Sequence, residues 1–273
     1  MLRKLIGIGA GFAGALASGA ALAMPYNWQL GFQPAASPVM QQIEDFHHLV
    51  LIIITAVTLF VLALLVWIIL RYNQRANPVP SKVSHNTTLE IIWTLVPVII
   101  LVIIAIPSFK LLYFEADIPT PDLTIQAIGH QWSWTYKYPT NGNFSFDSLP
   151  LSADQDKKAG EPRLLGVDNA VVVPVNKVVE VDTNGADVIH SWAVPQFGVK
   201  MDAVPGRINK TWFKATAIGT YYGQCSELCG ANHYFMPIEV HVVSQDAFDA
   251  WVATAKKKFA SNDHPSANTL AAK

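Results

Sequence analysis

The sequence is poor in charge. Asp, Glu, Lys and Arg make up only 14% of its 273 residues, against roughly 25% in soluble domains. The deficit is concentrated in three long stretches with no charge at all. Formal net charge is −1, so the basic excess that marks a nucleic-acid partner is missing, and that class is set aside. Cysteine is scarce too, with two residues in the whole chain. That is too few for a disulfide framework. There are no internal repeats, which excludes solenoids and propellers.

What is there begins with the uncharged stretches. Residues Met1 to Lys4 form a short basic start, and an uncharged Gly, Ala and Ser-rich run follows from Leu5 to Ala23. It ends Ala21-Leu22-Ala23 before Met24-Pro25, an A-x-A pattern that reads as a secretory signal peptide over 1–23. An uncleaved anchor is the alternative. Leu49 to Leu70 is 22 uncharged residues dominated by Leu, Ile and Val, long enough to cross a bilayer as a helix. Ile91 to Phe109 adds 19 more, and the second span is placed at about 91–112. It contains Pro97 and Pro107, which membrane helices tolerate, and Lys110 at its end is long enough to snorkel. Trp67, Tyr72, Trp93 and Tyr113 lie near the span ends, where aromatic belts form. The intervening loop carries Arg71, Arg75 and Lys82, whereas the outer flanks carry Glu44, Asp45, Glu115 and Asp117. The positive-inside rule makes that loop cytoplasmic. The remainder of the chain then faces the periplasm of a bacterial inner membrane, or the equivalent side of an organelle membrane. Glu90 opens the second span, either as a charge favoured at a helix N-terminus or as part of a proton path.

Beyond Pro119 the pattern changes to short β-branched or alternating runs. Strands are predicted over 123–128, 132–138, 170–175, 178–183, 211–215, 219–222 and 238–243, separated by Gly, Pro, Asn and Asp. Seven short strands at this spacing predict a sandwich or a barrel. Residues 147–162 are polar and read as a surface loop. Ser244 is placed to cap a final helix over about 245–259, and residues 261–273 read as a disordered tail. The chain thus divides into a signal peptide (1–23), an N-terminal segment with the membrane hairpin (24–117), an outer domain (118–260) and the tail. Between Pro119 and Ala250 there are 14 Asp or Glu against 9 Lys or Arg. That mild acidity suits either a basic partner or ordinary solubility.

Both cysteines fall in one loop, Cys225-Ser-Glu-Leu-Cys229-Gly-Ala-Asn-His233-Tyr-Phe-Met236. Two thiolates, an imidazole and a thioether are the soft donors that copper selects, and His190 upstream supplies a second imidazole. A disulfide between residues four apart closes an awkwardly short loop and gives His190, His233 and Met236 no role. Tetrahedral zinc leaves the methionine unused. A mononuclear blue-copper site uses one cysteine and leaves the other over. Two cysteines bridging two copper ions, with one histidine on each, account for every donor.

The motif resembles the dinuclear CuA motif of cytochrome c oxidase subunit II. Gly129-His130-Gln131-Trp132-Ser133-Trp134-Thr135-Tyr136 resembles that family's aromatic segment. The stretches His190 to Pro195 and Lys200 to Arg207 resemble its other signatures, and the resemblance runs from about Trp28 to Phe259. It implies a two-helix transmembrane hairpin followed by an all-β cupredoxin-like barrel with a C-terminal helix. The implied copper ligands are His190, Cys225, Cys229, His233, Met236 and the carbonyl of Glu227. The Glu227 side chain is implied to face a magnesium or manganese ion shared with subunit I. Trp132, otherwise a packing aromatic, is implied to receive electrons from cytochrome c, and Glu90 to stand at the mouth of the K proton pathway. Asp168 and Asp187 are candidate docking carboxylates, and Asp202 and Arg207 are implied to lie near the subunit interface and haem propionates. The implied partners are the haem-bearing subunit I, subunit III, cytochrome c and membrane lipid. The implied activity is electron transfer within a proton-pumping oxidase. The oxygen chemistry lies in the partner, because this chain lacks a histidine array for haem. Three alternatives are a copper-free quinol oxidase subunit, which the cysteines disfavour, another CuA enzyme such as a nitrous or nitric oxide reductase, and a copper carrier.

Overall fold

The computed structural model describes residues 28–259. The expected signal peptide and tail lie outside the described residues.

Helix α1 (Pro38–Arg71) and helix α2 (Thr87–Ala116) form a hairpin, and both are long and apolar enough to cross a membrane. Helix α1 begins eleven residues before the apolar run. Ser37 caps it by accepting from Met40 N at 3.0 Å, and Pro38 occupies the first turn, where its missing N–H costs nothing. Asn86 caps α2 in the same way through Leu89 N. Most side chains from Leu51 to Val102 point outward, including Phe60, Trp67, Ile99 and Leu101. A helix apolar all round requires an apolar surrounding. At its outer end the hairpin is fastened to the rest of the chain. Ser37 Oγ donates to Phe197 O, Thr216 N donates to Ala36 O, and Trp212 Nε1 donates to Glu115 O.

The outer domain contains strands β1 (Leu123–His130), β2 (Ser133–Tyr138) and β3 (Phe144–Ser148), then a short helix α3 (Ala153–Ala159). Strands β4 (Val171–Pro174), β5 (Val179–Gly185), β6 (His190–Val194), β7 (Val199–Ala203), β8 (Asn209–Phe213), β9 (Gly219–Gln224) and β10 (Pro237–Val243) follow, with helix α4 (Gln245–Phe259) last. The strands form a five-stranded sheet, β3-β2-β1-β5-β8, a three-stranded sheet, β4-β10-β9, and a two-stranded ribbon, β6-β7. Pairing is mixed: β1 with β5 and β10 with β4 are parallel, the rest antiparallel.

The expected cupredoxin-like barrel is therefore corrected: among the described residues no sheet closes on itself. Closure needs an unbroken ladder of strand pairs, and two elements stand where it would have to run. On one side α4 packs against β3 and β4, the free edges of the two larger sheets. Trp251 of that helix meets Tyr138, Phe144 and Phe146 tilted or edge-on, and Phe259 stacks on Phe146. On the other side the β6-β7 ribbon lies between β9 and β8 without extending either sheet. Neither is the domain purely β, because the stretch read as a surface loop contains α3. Its Gln155 side chain accepts from Ser152 N at 2.8 Å, the reciprocal half of a capping box.

The core lies between the sheets. Trp134, Tyr136 and Tyr138 alternate on the inner face of β2, all fully buried. Ile238, Val240 and Val242 of β10 belong to the same buried cluster. The buried phenol of Tyr138 donates to Val172 O at 2.9 Å and accepts from Val172 N at 3.0 Å, so its polar end is satisfied.

Candidate metal centre

Three pieces of chain meet at the end of the outer domain: the turn between β1 and β2, the start of β6, and the loop from β9 to β10. Each is positioned by backbone. Gly223 of β9 approaches β6 so closely that a Cβ there would lie 1.9 Å from Ala193 O, so only glycine fits. The loop is then pinned at its base, where Cys225 N donates to Met236 O and Ser226 N donates to Ser191 O, both at 3.0 Å. Within it, turns donate His233 N to Gly230 O and Phe235 N to Asn232 O, with Gly230 in the left-handed region at φ 119°.

These constraints bring the soft donors together. Cys225 Sγ and Cys229 Sγ are 3.8 Å apart, far beyond the ~2.0 Å of a disulfide. His190 Nδ1 lies 3.9 Å from Cys225 Sγ, and His233 Nδ1 lies 3.6 Å from Cys229 Sγ. Each cysteine thus faces a different histidine. The carbonyl of Glu227 is 3.3 Å from Cys225 Sγ, and Met236 is fully buried beside the cluster. His190, Cys225 and Cys229 place one donor atom each within 4.8 Å of one another, the only such group among the described residues.

The two thiols differ electrostatically. Burial raises Cys225, but His190, the backbone at Glu227 and Ser191, and His233 together outweigh it and bring the thiol down to about 6. Burial and the neighbouring Cys225 thiolate push Cys229 up to about 12. A bound soft cation would take both as thiolates, because coordination deprotonates a thiol outright. The donor set fits a soft metal, and the opposed His–Cys pairs fit two ions rather than one.

The other expected site residues fall in three places. Trp132 touches the cluster, its Nε1 donating to Cys229 O at 3.2 Å, and Gln131 Nε2 donates to the same oxygen at 2.8 Å. Glu227 is half-buried on the loop. Glu90 lies in the first turn of α2, at the far end of the hairpin. Asp168 is not a free surface charge, since its Oδ1 accepts from Leu149 N at 2.7 Å. Asp202 is half-buried and 3.5 Å from Lys200 Nζ. Asp187 holds His190: its Oδ1 is 2.8 Å from His190 Nε2. Burial raises the Asp187 carboxyl, but hydrogen bonds from His190, Val188 N and Gln131 N outweigh this and keep it below the ordinary range. Gln131 was legible in the sequence only as part of the aromatic segment, with no role of its own. The position of Asp187 three residues before a ligand-type histidine was the only available hint of its contact.

A two-span membrane protein whose outer β-domain presents a cysteine–histidine cluster on a loop is the class these features define. Family models agree on which one. "Cytochrome C oxidase subunit II, transmembrane domain" matches residues 25–111, and "Cytochrome C oxidase subunit II, periplasmic domain" matches residues 123–243. A probable cytochrome c oxidase subunit 2 from Rickettsia bellii is 53% identical over 238 residues, 87% of this chain and 88% of that one. Another from Rickettsia felis is 52% identical over 241 residues, 88% of this chain and 76% of that one. A crystal structure of the periplasmic domain of subunit II of cytochrome oxidase from Bradyrhizobium japonicum is 62% identical, covering 52% of this chain and 99% of that one at a TM-score of 0.49. The chain belongs to the cytochrome c oxidase subunit II family. It is a multi-pass protein of the inner membrane with its C-terminal domain in the periplasm, a component of an oxidoreductase complex that associates with subunit I, and its role is that family's electron transfer.

Proposed function

We propose that the chain accepts electrons from cytochrome c at a dinuclear CuA centre and passes them to haem in subunit I, where oxygen is reduced to water and protons are pumped. One observation carries this reading: the two sulfurs lie 3.8 Å apart, each facing a different imidazole nitrogen. Two copper ions held there would supply a site that shares one electron and changes shape little on reduction.

The chain's own residues do the rest. Cys225, Cys229, His190, His233, Met236 and the Glu227 carbonyl would hold the two copper ions, and the buried walls exclude water. Trp132 receives the electron, its indole N–H resting on the Cys229 carbonyl. The Glu227 carboxylate, a hard oxygen donor, suits the magnesium or manganese ion shared with subunit I. Glu90 opens the proton path from the cytoplasmic side. Residues 24–117 serve as the anchor and 118–260 as the electron-carrying head, with a leader over 1–23, a tail over 261–273, and subunit III as a further partner.

The test is the metal content and low-temperature EPR spectrum of the complex purified with its partner subunits. A coupled two-copper signal is expected, and one copper per chain or an uncoupled signal sinks the reading. Trp132→Phe should slow electron uptake from cytochrome c by roughly ten- to a hundredfold, as misplacement of a reacting group does, with the copper spectrum intact. Unchanged turnover would remove Trp132 from the path.

A further inference from the structure

Asp187 occupies the turn between β5 and β6, and both of its oxygens are engaged. Oδ1 accepts from Val188 N at 2.6 Å and lies 2.8 Å from His190 Nε2. Oδ2 accepts from Gln131 N at 2.7 Å. A carboxylate has no proton to give, so His190 Nε2 carries the hydrogen in this contact, and Nδ1 is left as the nitrogen that can coordinate a metal. Nδ1 is the nitrogen that faces Cys225 Sγ at 3.9 Å.

The imidazole has little other freedom. It is fully buried, with Trp134 edge-on at 6.0 Å between ring centroids. On another side a Cβ at Gly129 would lie 2.7 Å from its Cδ2. Packing sets the plane of the ring and Asp187 sets which nitrogen faces inward.

The second oxygen reaches the turn that carries the indole. Gln131 N is bound by Asp187, and the Gln131 amide and the Trp132 indole both donate to Cys229 O. Ala186 N donates to Gly129 O at 2.9 Å, which ties the same two turns a second time. One carboxylate therefore joins the β1–β2 turn to the histidine that faces Cys225.

We propose that Asp187 is a positioning residue for electron uptake: it presents His190 Nδ1 to the metal and holds the Trp132 turn in register with it. This rests on the copper reading above. It differs from a docking role, in which the carboxylate stands free in solvent to attract a basic partner and acts through charge alone. The side chain is 35% exposed, so charge and position are both open to test.

Asp187→Asn and Asp187→Glu separate them in the intact oxidase complex. Asparagine has one acceptor oxygen and cannot serve His190, Val188 and Gln131 as the carboxylate does. Glutamate keeps the charge and moves the oxygens by one methylene. The measurements are the nitrogen hyperfine couplings of the copper signal, and kcat and KM for cytochrome c at low and high ionic strength. Both variants are expected to alter the nitrogen couplings and lower kcat by about tenfold or more, the usual scale for a lost partner of a metal ligand, with KM little changed. Copper loss from a complex that still holds its haem is the same result in a stronger form, since a docking charge does not hold metal. A salt-dependent rise in KM for Asp187→Asn alone, with wild-type couplings and full rescue by glutamate, would overturn the proposal in favour of docking. Wild-type behaviour of both variants would overturn it outright. If the wild-type complex itself shows no coupled two-copper signal, the copper reading has failed, and that is seen before either variant is made.

Discussion

The hairpin and the outer domain are built from the same apolar residue types and place them oppositely. In α1 and α2 the Leu, Ile, Val and Phe side chains point out and almost nothing is buried. In the outer domain they point in, and the aromatic residues of β2 are fully buried. The backbone explains the contrast. A helix satisfies its own hydrogen bonds and tolerates lipid on every side. A strand must find partners, so its apolar face comes to lie against another sheet and encloses a core. The difference also sorts function. The hairpin needs only composition, whereas a metal centre needs atoms held to tenths of an ångström, which packed sheets and short loops provide.

Changes to the outer domain should therefore be read at the site or in stability, and changes to the hairpin in neither. The largest effect is expected from Cys225→Ser, which should abolish the coupled-copper EPR signal while membrane insertion and haem content stay normal. A surviving signal would show that the bridge is not where we place it. Next is Trp251→Ala, which removes the aromatic contact of α4 with Tyr138, Phe144 and Phe146. It should lower the unfolding free energy of the outer domain by about 3 kcal/mol, measured by denaturant titration. Ile103→Ala, on an outward face of α2, should leave that titration unchanged. Equal losses would erase the contrast.

Glu90→Gln tests the single functional role proposed for the hairpin. It should reduce turnover on the order of tenfold, as loss of a proton-transferring group does, and leave the copper spectrum untouched. A neutral result would return Glu90 to the helix-end charge that its place in the first turn of α2 also allows. The smallest effect is at Asp122. Its Oδ2 accepts from Val178 N at 2.9 Å, and Lys177 Nζ is 3.3 Å from Oδ1. The backbone hydrogen bond from Val178 leads in holding its carboxyl below the usual range, against a smaller opposing effect of burial. A depressed carboxylate contributes stability above its unfolded pKa and loses it as pH falls through the folded value. Asp122→Asn should cost under about 1 kcal/mol at pH 7, as exposed pairs do, and nothing near pH 2. A cost independent of pH would assign the effect to geometry instead of charge.

Legibility in the sequence followed the range of the forces involved. The spans were readable because twenty apolar residues in a row need no partner to be understood, although α1 starts at Pro38, before the apolar run, where Ser37 caps it. Helix α4 was readable from its cap at Ser244. Strands β3, β6 and β7 were not read as strands. Strand β6, with five buried residues, has no alternation to see, and the pairing that makes it a ribbon is with residues some ten positions away. The polar stretch containing α3 hides a helix held by a capping box and not by an apolar stripe. The barrel expectation came from the family resemblance; the strand count left sandwich and barrel both open, because a count says nothing about which edges meet.

By itself the sequence determined the family, the membrane layout and the kinds of donor atom available, because these depend on local composition and on short motifs. Only the tertiary structure decided that the sheets stay open, that each cysteine faces its own histidine, and that Asp187 is bound to His190 and Gln131 and is not a free surface charge. Apart from the short-range Cys229–His233 and Asp187–His190 pairs, those outcomes rest on contacts between residues 35 to 98 positions apart. The geometry of such contacts is set by packing and strand register, which no local pattern records.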